Sequence, residues 1–226
     1  MITVVHNSEM SPPGRLVPAL ERGGQIVNHV LAHRGERLPF SPSAVVVLGG
    51  EMSAFDAAAP PFLHTEKRWI AQLVEAGTPV LAICLGAQLL ADALGGRAFR
   101  ADEPELGVID IVHTGEGKAD PVVGPLVPPV LAVHEDSFEL PPDAVLLAHS
   151  DRFPHAFRVG SAIGLQFHPE TVADIAIGWA RSGLSDLFAA AGVSFDQFST
   201  ELVAHDQHLT AEAASLFARW LGSALA

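Results

Sequence analysis

The chain contains one cysteine, and its sequence surroundings are those of a catalytic thiol. Cys84 directly follows an apolar run at 80–83 and precedes Gly86 and a helix-forming stretch, which predicts an abrupt strand-to-helix turn. The dipole at a helix N-terminus favours the thiolate, which is the nucleophilic form. Far downstream, His168 and Glu170 flank a proline and are spaced to orient one another. Cysteine, histidine and glutamate together supply a nucleophile, a base and an orienting group for acyl transfer.

Taken singly, each of these residues has an ordinary explanation. A lone cysteine is more often a small buried hydrophobe, and a lone histidine is more often a hydrogen-bonded core residue. The combination of these residues, in this order along the chain, favours a catalytic role over a structural one. His168 would take the thiol proton and later deliver a proton to the leaving amine, while Glu170 would hold the imidazole tautomer. Asp136 is the alternative carboxylate for that orienting role.

Acyl transfer also needs hydrogen-bond donors for the developing oxyanion, and a glycine pair suggests where they are. Gly50 ends a Gly-Gly pair that follows an apolar, β-branched run at 44–48. Because parallel strands end at the same edge of a sheet, we expect Gly50 and Cys84 to lie close together. The amides of Gly50 and Leu85 could then face one oxyanion, since glycine allows close approach and unusual φ values.

The first half of the chain alternates between predicted strands and helices. Strands are predicted at 2–6, 25–30, 44–48 and 80–83, and helices at 16–22, 62–76 and 85–94. This alternation is typical of a mainly parallel sheet that is covered by helices on both faces. We therefore expect an α/β fold, a three-layer sandwich in a single domain spanning 1–226.

The pattern changes after Gly96. Short strands are predicted at 108–113, 130–134, 145–149, 156–159 and 163–167, and they should add antiparallel pairs to the parallel core. The proline-rich segment 120–129 is predicted to be a rigid surface loop. The chain is predicted to be helical from 171 to its end, with Thr210 as the N-cap of the last helix.

Composition excludes several function classes. The chain has 226 residues, 49% of them hydrophobic, and a net charge of −13, which argues against nucleic acid and anionic membranes as partners. No apolar run approaches the roughly 20 residues that span a bilayer, and no signal peptide is visible. A lone thiol suits a reducing compartment, so we expect a cytoplasmic protein. The pairs His134/Asp136 and His168/Glu170 could be drawn as metal ligands, but no tight Cys/His cluster supports this, and we expect neither metal nor cofactor.

Six segments carry a resemblance to a known family. They are Leu-Gly-Gly-Glu-Met-Ser (48–53), Cys-Leu-Gly-Ala-Gln-Leu-Leu-Ala (84–91), Leu-Gly-Gly (94–96), Glu-Leu-Gly (105–107), His-Glu-Asp-Ser-Phe (134–138) and Gly-Leu-Gln-Phe-His-Pro-Glu (164–170). With these motifs the chain resembles the class I glutamine amidotransferases, in particular stand-alone proteins related to the glutaminase domain of GMP synthase. The resemblance implies a flavodoxin-like fold.

The same resemblance implies roles for individual residues. It implies a Cys84–His168–Glu170 triad, a glutamyl-thioester intermediate, and an oxyanion hole formed by the amides of Gly50 and Leu85. It also implies that Gln88 holds the glutamine substrate, with His134 and Asp136 at the glutamyl-binding rim.

Three functions remain open at this stage. The first is a glutaminase that passes ammonia to a synthetase encoded elsewhere, since no nucleotide-binding loop of the Ser-Gly-Gly-Val-Asp-Ser type occurs in these residues. The second is a free-standing γ-glutamyl hydrolase or peptidase, because Val133 and Glu135 stand where the GMP synthases tend to have Ser and Gly. The third is a catalytically silent binding subunit, which the intact triad disfavours.

Overall fold

A computed structural model describes residues 1–182 and 185–225, and ten strands occur in that part of the chain. They are β1 (Ile2–His6), β2 (Val27–Leu31), β3 (Val45–Val47), β4 (Val80–Ile83), β5 (Arg97–Ile109), β6 (Val112–His113), β7 (Val130–Glu139), β8 (Val145–His149), β9 (Pro154–Val159) and β10 (Ala162–Leu165). Eight form one sheet in the order β2-β1-β3-β4-β10-β9-β8-β6. The first five are parallel, and β9, β8 and β6 are antiparallel additions, so the predicted mainly parallel sheet is confirmed.

Helices cover both faces of this sheet. They are α1 (Leu16–Arg22), α2 (Pro61–Glu75), α3 (Leu85–Ala93), α4 (Gly115–Ala119), α5 (Ala173–Ser182), α6 (Ser185–Ala191) and α7 (Phe195–Ala224). Because side chains alternate along a strand, Val4 packs with Trp220 of α7 on one face, and Val5 packs with Ile70 of α2 on the other. The result is the predicted three-layer α/β sandwich.

Strands β5 and β7 form a separate two-stranded antiparallel sheet, which differs from the prediction. They were expected as short strands at 108–113 and 130–134 added to the core. The predicted strand 108–113 is instead divided between the end of β5 and β6, which belong to different sheets. This ribbon packs on α5, α6 and α7 through a third apolar cluster that includes Leu106, Trp179 and Phe198. The ribbon also contacts the segment after β10, since the His168 amide donates to the Leu131 carbonyl of β7.

The C-terminal region is helical, as predicted, but its last helix does not begin at Thr210. Helix α7 begins after Ser194, whose hydroxyl accepts the Gln197 amide at 3.1 Å, and it continues without a break through Thr210. Thr210 is therefore not an N-cap, because buried Leu209 and Ala213 on either side of it carry the apolar stripe through this point. Residues 183 and 184 of the predicted helical stretch lie outside the described residues. Among the helices of the described ranges, none is both long and apolar enough to cross a membrane.

The segment 120–129 is not a surface loop, as its prolines suggested. Val122 and Val123 are fully buried in the main apolar cluster. The Asp120 carboxylate accepts both of their amides at 2.9 Å and pairs with Arg158 at 2.6 Å. These bonds satisfy the backbone of a turn that carries apolar side chains into the core, and the short helix α4 before it was not predicted.

Candidate active site

Cys84 lies at the turn between β4 and α3, as the sequence predicts. Its φ of 52° and ψ of −111° are rarely adopted by a residue other than glycine. The Cys84 amide donates to the Leu165 carbonyl at 2.7 Å, and the Gln88 amide donates to the Cys84 carbonyl at 3.1 Å. Gly86 allows α3 to approach β3, since a Cβ there would lie 2.5 Å from the Val47 carbonyl oxygen. The neighbouring backbone therefore holds a strained residue at the carboxyl edge of the sheet.

His168 and Glu170 follow β10, the strand next to β4 in the sheet. The His168 amide donates to the Leu131 carbonyl at 2.8 Å, and Nδ1 of His168 lies 2.8 Å from Oε1 of Glu170. Because a carboxylate only accepts, Nδ1 carries the hydrogen of this bond. The indole of Trp179 packs edge-on against the imidazole, with ring centroids 5.2 Å apart. The histidine is thus held in one tautomer and one orientation.

The charges around His168 favour its protonated form. Burial by itself lowers the pKa of His168. The charge of Glu170, the interaction with Cys84 and hydrogen bonds to both outweigh burial and raise the pKa well above its ordinary value. The surroundings therefore favour the imidazolium form of His168 beside Cys84.

The segment before α1 supports Glu170, which the sequence did not indicate. The Arg15 amide donates to the backbone carbonyl of Glu170 at 2.7 Å, and the Thr171 hydroxyl donates to its Oε1 at 3.2 Å. Gly14 has φ +43°, and a Cβ there would lie 2.2 Å from the Glu170 carbonyl oxygen. The Pro-Pro-Gly turn at 12–14 was the available signal, and its glycine allows close approach to the Glu170 backbone.

The predicted oxyanion turn follows β3 and lies against the elbow. A Cβ on Gly50 would be 3.0 Å from Cδ2 of Leu85, so the two residues are in contact. Leu85 is the first residue of α3, where the amide has no acceptor within the helix. Gly49 is closer still to the reacting groups, since a Cβ there would lie 3.5 Å from Cβ of Cys84 and Cε1 of His168. The φ of Gly50 lies outside the left-handed region, so close approach is the reason for glycine at this position.

Asn7 and Glu66 form a buried polar pair that is hydrogen-bonded to the start of the predicted oxyanion turn. Asn7, directly after β1, donates from Nδ2 to the Leu48 carbonyl at 3.1 Å and to Oε1 of Glu66 at 3.2 Å. Burial raises the pKa of Glu66 to about 8, although the hydrogen bond from Asn7 opposes the change. Glu66 on α2 is therefore a neutral carboxylic acid near pH 7, and the sequence did not single it out.

Gln88 and the backbone of Asp136 meet beside the cysteine. Nε2 of Gln88 donates to the Asp136 carbonyl at 3.1 Å and to Oε1 of Gln166 at 3.3 Å. Gln166 in turn places its Nε2 at 3.6 Å from Sγ of Cys84. Gln166 was missed as a site residue, although it precedes His168 by two positions and so points to the same side of an extended segment.

His134 belongs to a different polar cluster from the one its spacing suggested. Its Nε2 lies 3.2 Å from Oε2 of Glu105, and Nε2 of His155 lies 2.5 Å from the same oxygen. Burial raises the pKa of Glu105, but the hydrogen bonds from both histidines lower it well below its usual range. Within the described residues these three offer ligand atoms that lie within 4.8 Å of one another, a spacing that a metal ion could use. The 2.5 and 3.2 Å separations are those of hydrogen bonds, and the cluster ties β5, β7 and β9 together.

The carboxylate of Asp136 lies at a charged rim. Nε of Arg100 is 2.9 Å from its Oδ1, and Arg100 also pairs with Glu135. Burial raises the pKa of Asp136, while Ser53 and Arg100 oppose the change. Glu170 is the carboxylate that contacts His168, whereas the Asp136 carboxylate is paired with Arg100.

Comparison with known proteins places this arrangement among related sequences. The family model described as glutamine amidotransferase class-I matches residues 24–175. The GMP synthase [glutamine-hydrolyzing] of Thermomicrobium roseum is 37% identical over 135 residues, which are 58% of this chain and 24% of that protein. The Thermus thermophilus enzyme of the same name is 34% identical over 159 residues, 66% of this chain and 27% of that protein. The chain thus spans about a quarter of the length of these relatives.

Solved structures resemble the chain over nearly its whole length. A glutamine amidotransferase from Thermotoga maritima has a TM-score of 0.83 at 25% identity and covers 97% of both chains. A glutamine amido transferase from Methylobacillus flagellatus has a TM-score of 0.86 at 24% identity and covers 99% of this chain and 94% of its own. These similarities agree with the flavodoxin-like α/β architecture.

Proposed function

The chain belongs to the class I glutamine amidotransferase family, and on that premise we propose that it hydrolyses glutamine to glutamate and ammonia through a glutamyl thioester on Cys84. The observation that carries the proposal is the 2.8 Å bond from His168 to Glu170, with His168 in electrostatic contact with Cys84 at a strained elbow. A silent binding subunit would not require this combination of strain and buried charge.

Acylation begins with a Cys84 thiolate and a His168 imidazolium. The sulfur attacks the γ-carbonyl carbon of glutamine, and the carbonyl electron pair moves to oxygen, where the amides of Gly50 and Leu85 would donate. As the intermediate collapses, the C–N bond breaks and His168 gives its Nε2 proton to the departing nitrogen. The products of this half-reaction are ammonia, a thioester and a neutral imidazole.

Deacylation uses the same groups in the opposite sense. Neutral His168 takes a proton from water, and the resulting hydroxide adds to the thioester carbon. The second tetrahedral intermediate collapses with cleavage of the C–S bond, which returns the thiolate and the imidazolium and releases the γ-carboxylic acid. The acid then loses its proton to solvent to give glutamate. Glu170 keeps Nδ1 protonated throughout and stabilises the charge that His168 carries at each turnover.

An ammonia-accepting synthetase is part of this proposal. The relatives are named glutamine-hydrolyzing GMP synthases, and the similarity to this chain covers only about a quarter of their length. The proposed substrate-binding residues are Gln88, beside the bound glutamine, and His134 and Asp136, at the glutamyl-binding rim.

A γ-glutamyl hydrolase or peptidase without a partner is the second candidate. The observation that favours it is the rim, where Arg100 is held between Glu135 and Asp136 and so differs in charge from an uncharged glycine-containing rim. Such a rim could select the group beyond the γ-amide of a larger γ-glutamyl compound. Water would then be the only acceptor.

One set of assays tests these functions. Purified protein is incubated with glutamine and with a panel of γ-glutamyl dipeptides, each with and without cell extract, and glutamate is measured. Glutamine hydrolysis supports the first function, and faster hydrolysis of dipeptides supports the second. A glutamine-like chloroketone should add one label per chain, at Cys84, since no other thiol is present. Full glutaminase activity in Cys84→Ala would overturn the thioester mechanism.

A further inference from the structure

The orientation of the Gln166 side chain is determined, through Gln88, by the backbone carbonyl of Asp136. The Asp136 backbone carbonyl can only accept, so the group of Gln88 at 3.1 Å from it must be the amide nitrogen. That same nitrogen lies 3.3 Å from Gln166, which must therefore present its oxygen. The other end of Gln166, its NH₂ group, consequently faces Sγ of Cys84 at 3.6 Å. The direction of each bond is determined by a backbone carbonyl rather than by a choice of amide rotamer.

Burial makes this orientation costly to reverse. Gln166 is fully buried and Gln88 is 2% exposed, so water is not available to replace a lost partner. A flipped Gln166 would oppose its NH₂ to that of Gln88 and its oxygen to the sulfur. The two NH₂ groups would then repel each other, and the buried NH₂ of Gln88 would lose one of its two acceptors.

The chain of bonds is also anchored at both ends. Nδ1 of His134 also lies 3.0 Å from the Asp136 carbonyl oxygen. The backbone amide of Gln166 donates to the His155 carbonyl at 2.9 Å. Gln166 is therefore a positioned donor rather than a side chain that samples several contacts.

We propose that Gln166 is a catalytic residue whose NH₂ group donates to Sγ of Cys84 and stabilises the thiolate. A thiolate accepts a hydrogen bond more strongly than a thiol, so a fixed donor favours ionisation before attack. The same donor stabilises the sulfur when the C–S bond breaks and the electron pair returns to it. The role in thioester cleavage depends on the proposed glutaminase function, whereas the effect on the free thiol does not.

Few charged groups face the sulfur directly. His168 faces it from the loop after β10, with Glu170 behind the imidazole. Asp136 and His134 on β7 and Glu105 on β5 are linked to it only through the two glutamines. Any change at Gln166 alters a neutral donor and leaves these charges in place, so its effect can be separated from theirs.

The test measures alkylation of Cys84 by iodoacetamide as a function of pH, which requires no glutamine. Gln166→Met keeps the length of the side chain and removes the donor. Its profile should shift to higher pH by about 1 to 2 units, the expected worth of a hydrogen bond to a charged group. Gln166→Glu, which places a carboxylate oxygen at the sulfur, should shift the profile further. Gln72→Met on the exposed side of α2 is the matched control and should leave the profile unchanged.

A second variant covers the case in which Gln166→Met fails to fold. Gln88→Met leaves Gln166 intact but removes the group that fixes its orientation, so the profile should shift in the same direction by a smaller amount. An unchanged profile in a folded Gln166→Met protein, judged by its thermal melt, would overturn the inference. Absent glutamine hydrolysis combined with the expected shifts would instead contradict the proposed substrate and leave the role of Gln166 supported.

Discussion

At the scale of single residues, the donor and acceptor pattern supports a separate proposed role for each member of the candidate triad. Nδ1 of His168 is bonded to Glu170, so in the proposed mechanism Nε2 carries out the proton transfers at Cys84. Cys84 is the one non-glycine residue with positive φ in the described part of the chain, so this kind of backbone strain is confined there to the elbow. Strain at this position is consistent with a backbone shaped by the chemistry it presents.

The first prediction concerns Glu170→Gln. Burial lowers the pKa of His168, and the charge of Glu170 is the largest influence that raises it. Removal of that charge should lower the pKa, so the imidazolium is lost at lower pH and the alkaline limb of kcat/KM moves toward acid. The amide oxygen can still accept from Nδ1, and kcat should fall by roughly 10²-fold rather than to zero.

The measurement is a pH profile of glutamine hydrolysis for wild type and Glu170→Gln. Asp136→Asn serves as the comparison, because Asp136 is the other candidate for the orienting role. A limb that stays in place in Glu170→Gln and moves in Asp136→Asn would transfer that role to Asp136.

At the scale of elements, the oxyanion turn after β3 depends on two neighbours, α3 and α2. Gly50 touches Leu85 at the start of α3, and the Leu48 carbonyl is held through Asn7 by Glu66 on α2. Each contact can be altered without touching Cys84 or His168.

The second prediction concerns Gly50→Val. A Cβ at this position already lies 3.0 Å from Leu85 and 3.1 Å from Met52, so the branched side chain should displace the turn and its amide. The loss should fall on kcat, by about 10²–10³-fold, because the amide matters most where charge develops. Alkylation of Cys84 should continue at nearly the normal rate. Gly115→Val, at a glycine with open space around it, is the control for the substitution itself.

Equal slowing of hydrolysis and alkylation in Gly50→Val, with a lower melting temperature, would indicate a turn residue of purely structural importance. Measurement of all three quantities on the two variants separates these cases.

The third prediction concerns the pH dependence of stability through Glu66. Burial raises its pKa from the ordinary 4.5 to about 8, with the Asn7 hydrogen bond opposing. Since the folded pKa is the higher one, the protonated carboxyl contributes its full stability below pH 4.5, and this contribution is lost as the pH rises toward 8. Glu66→Gln keeps an acceptor for Asn7 and removes the titration. Its stability relative to wild type should rise over this interval by an amount on the order of a few kcal/mol.

Urea unfolding of both proteins at about pH 5 and about pH 9 measures this change directly. A difference in unfolding free energy that is the same at the two pH values would show that Glu66 titrates normally.

At the scale of the whole molecule, the site is assembled from segments that are remote in the sequence. The turn at Gly14, the elbow at Cys84 and the loop at His168 meet at the carboxyl edge of one sheet. The β5–β7 ribbon adds Asp136 to the same edge through Gln88. A substitution far from Cys84 in the sequence should therefore be able to lower kcat.

The fourth prediction uses Gly14→Ala. Gly14 has φ +43°, and its Cβ would lie 2.2 Å from the Glu170 carbonyl oxygen, so both backbone strain and a clash are introduced. Gly24→Ala is the matched control, with φ +75° and open space. The control should cost about 1 to 2 kcal/mol of stability from strain alone. Gly14→Ala should cost a further amount of about 1 to 3 kcal/mol and lower kcat by displacing Glu170.

Thermal melts and glutaminase kinetics on the two variants give the answer. If Gly14→Ala melts at the temperature of Gly24→Ala and turns over like wild type, the segment before α1 has no part in holding Glu170.

Much of the fold was available from the sequence because it is encoded locally. The β-branched runs at Ile2–His6, Val45–Val47 and Val80–Ile83 and the helices between them follow from hydrophobic periodicity and glycine stops. The elbow at Cys84 and the pairing of His168 with Glu170 are likewise local, since each involves residues within a few positions of one another. Their assembly at one edge follows from the parallel direction of β4 and β10.

The remainder was decided by tertiary structure. Periodicity cannot say which sheet a strand joins, so the β5–β7 ribbon was placed in the wrong sheet, and an N-cap pattern at Thr210 could not reveal the helix that runs through it. Hydrogen bonds between side chains are equally invisible, because Gln88 and Gln166 are 78 positions apart. Local sequence sets backbone conformation and the chemistry available at each position. The direction of a donor toward a sulfur is set only when packing brings distant elements together and excludes water.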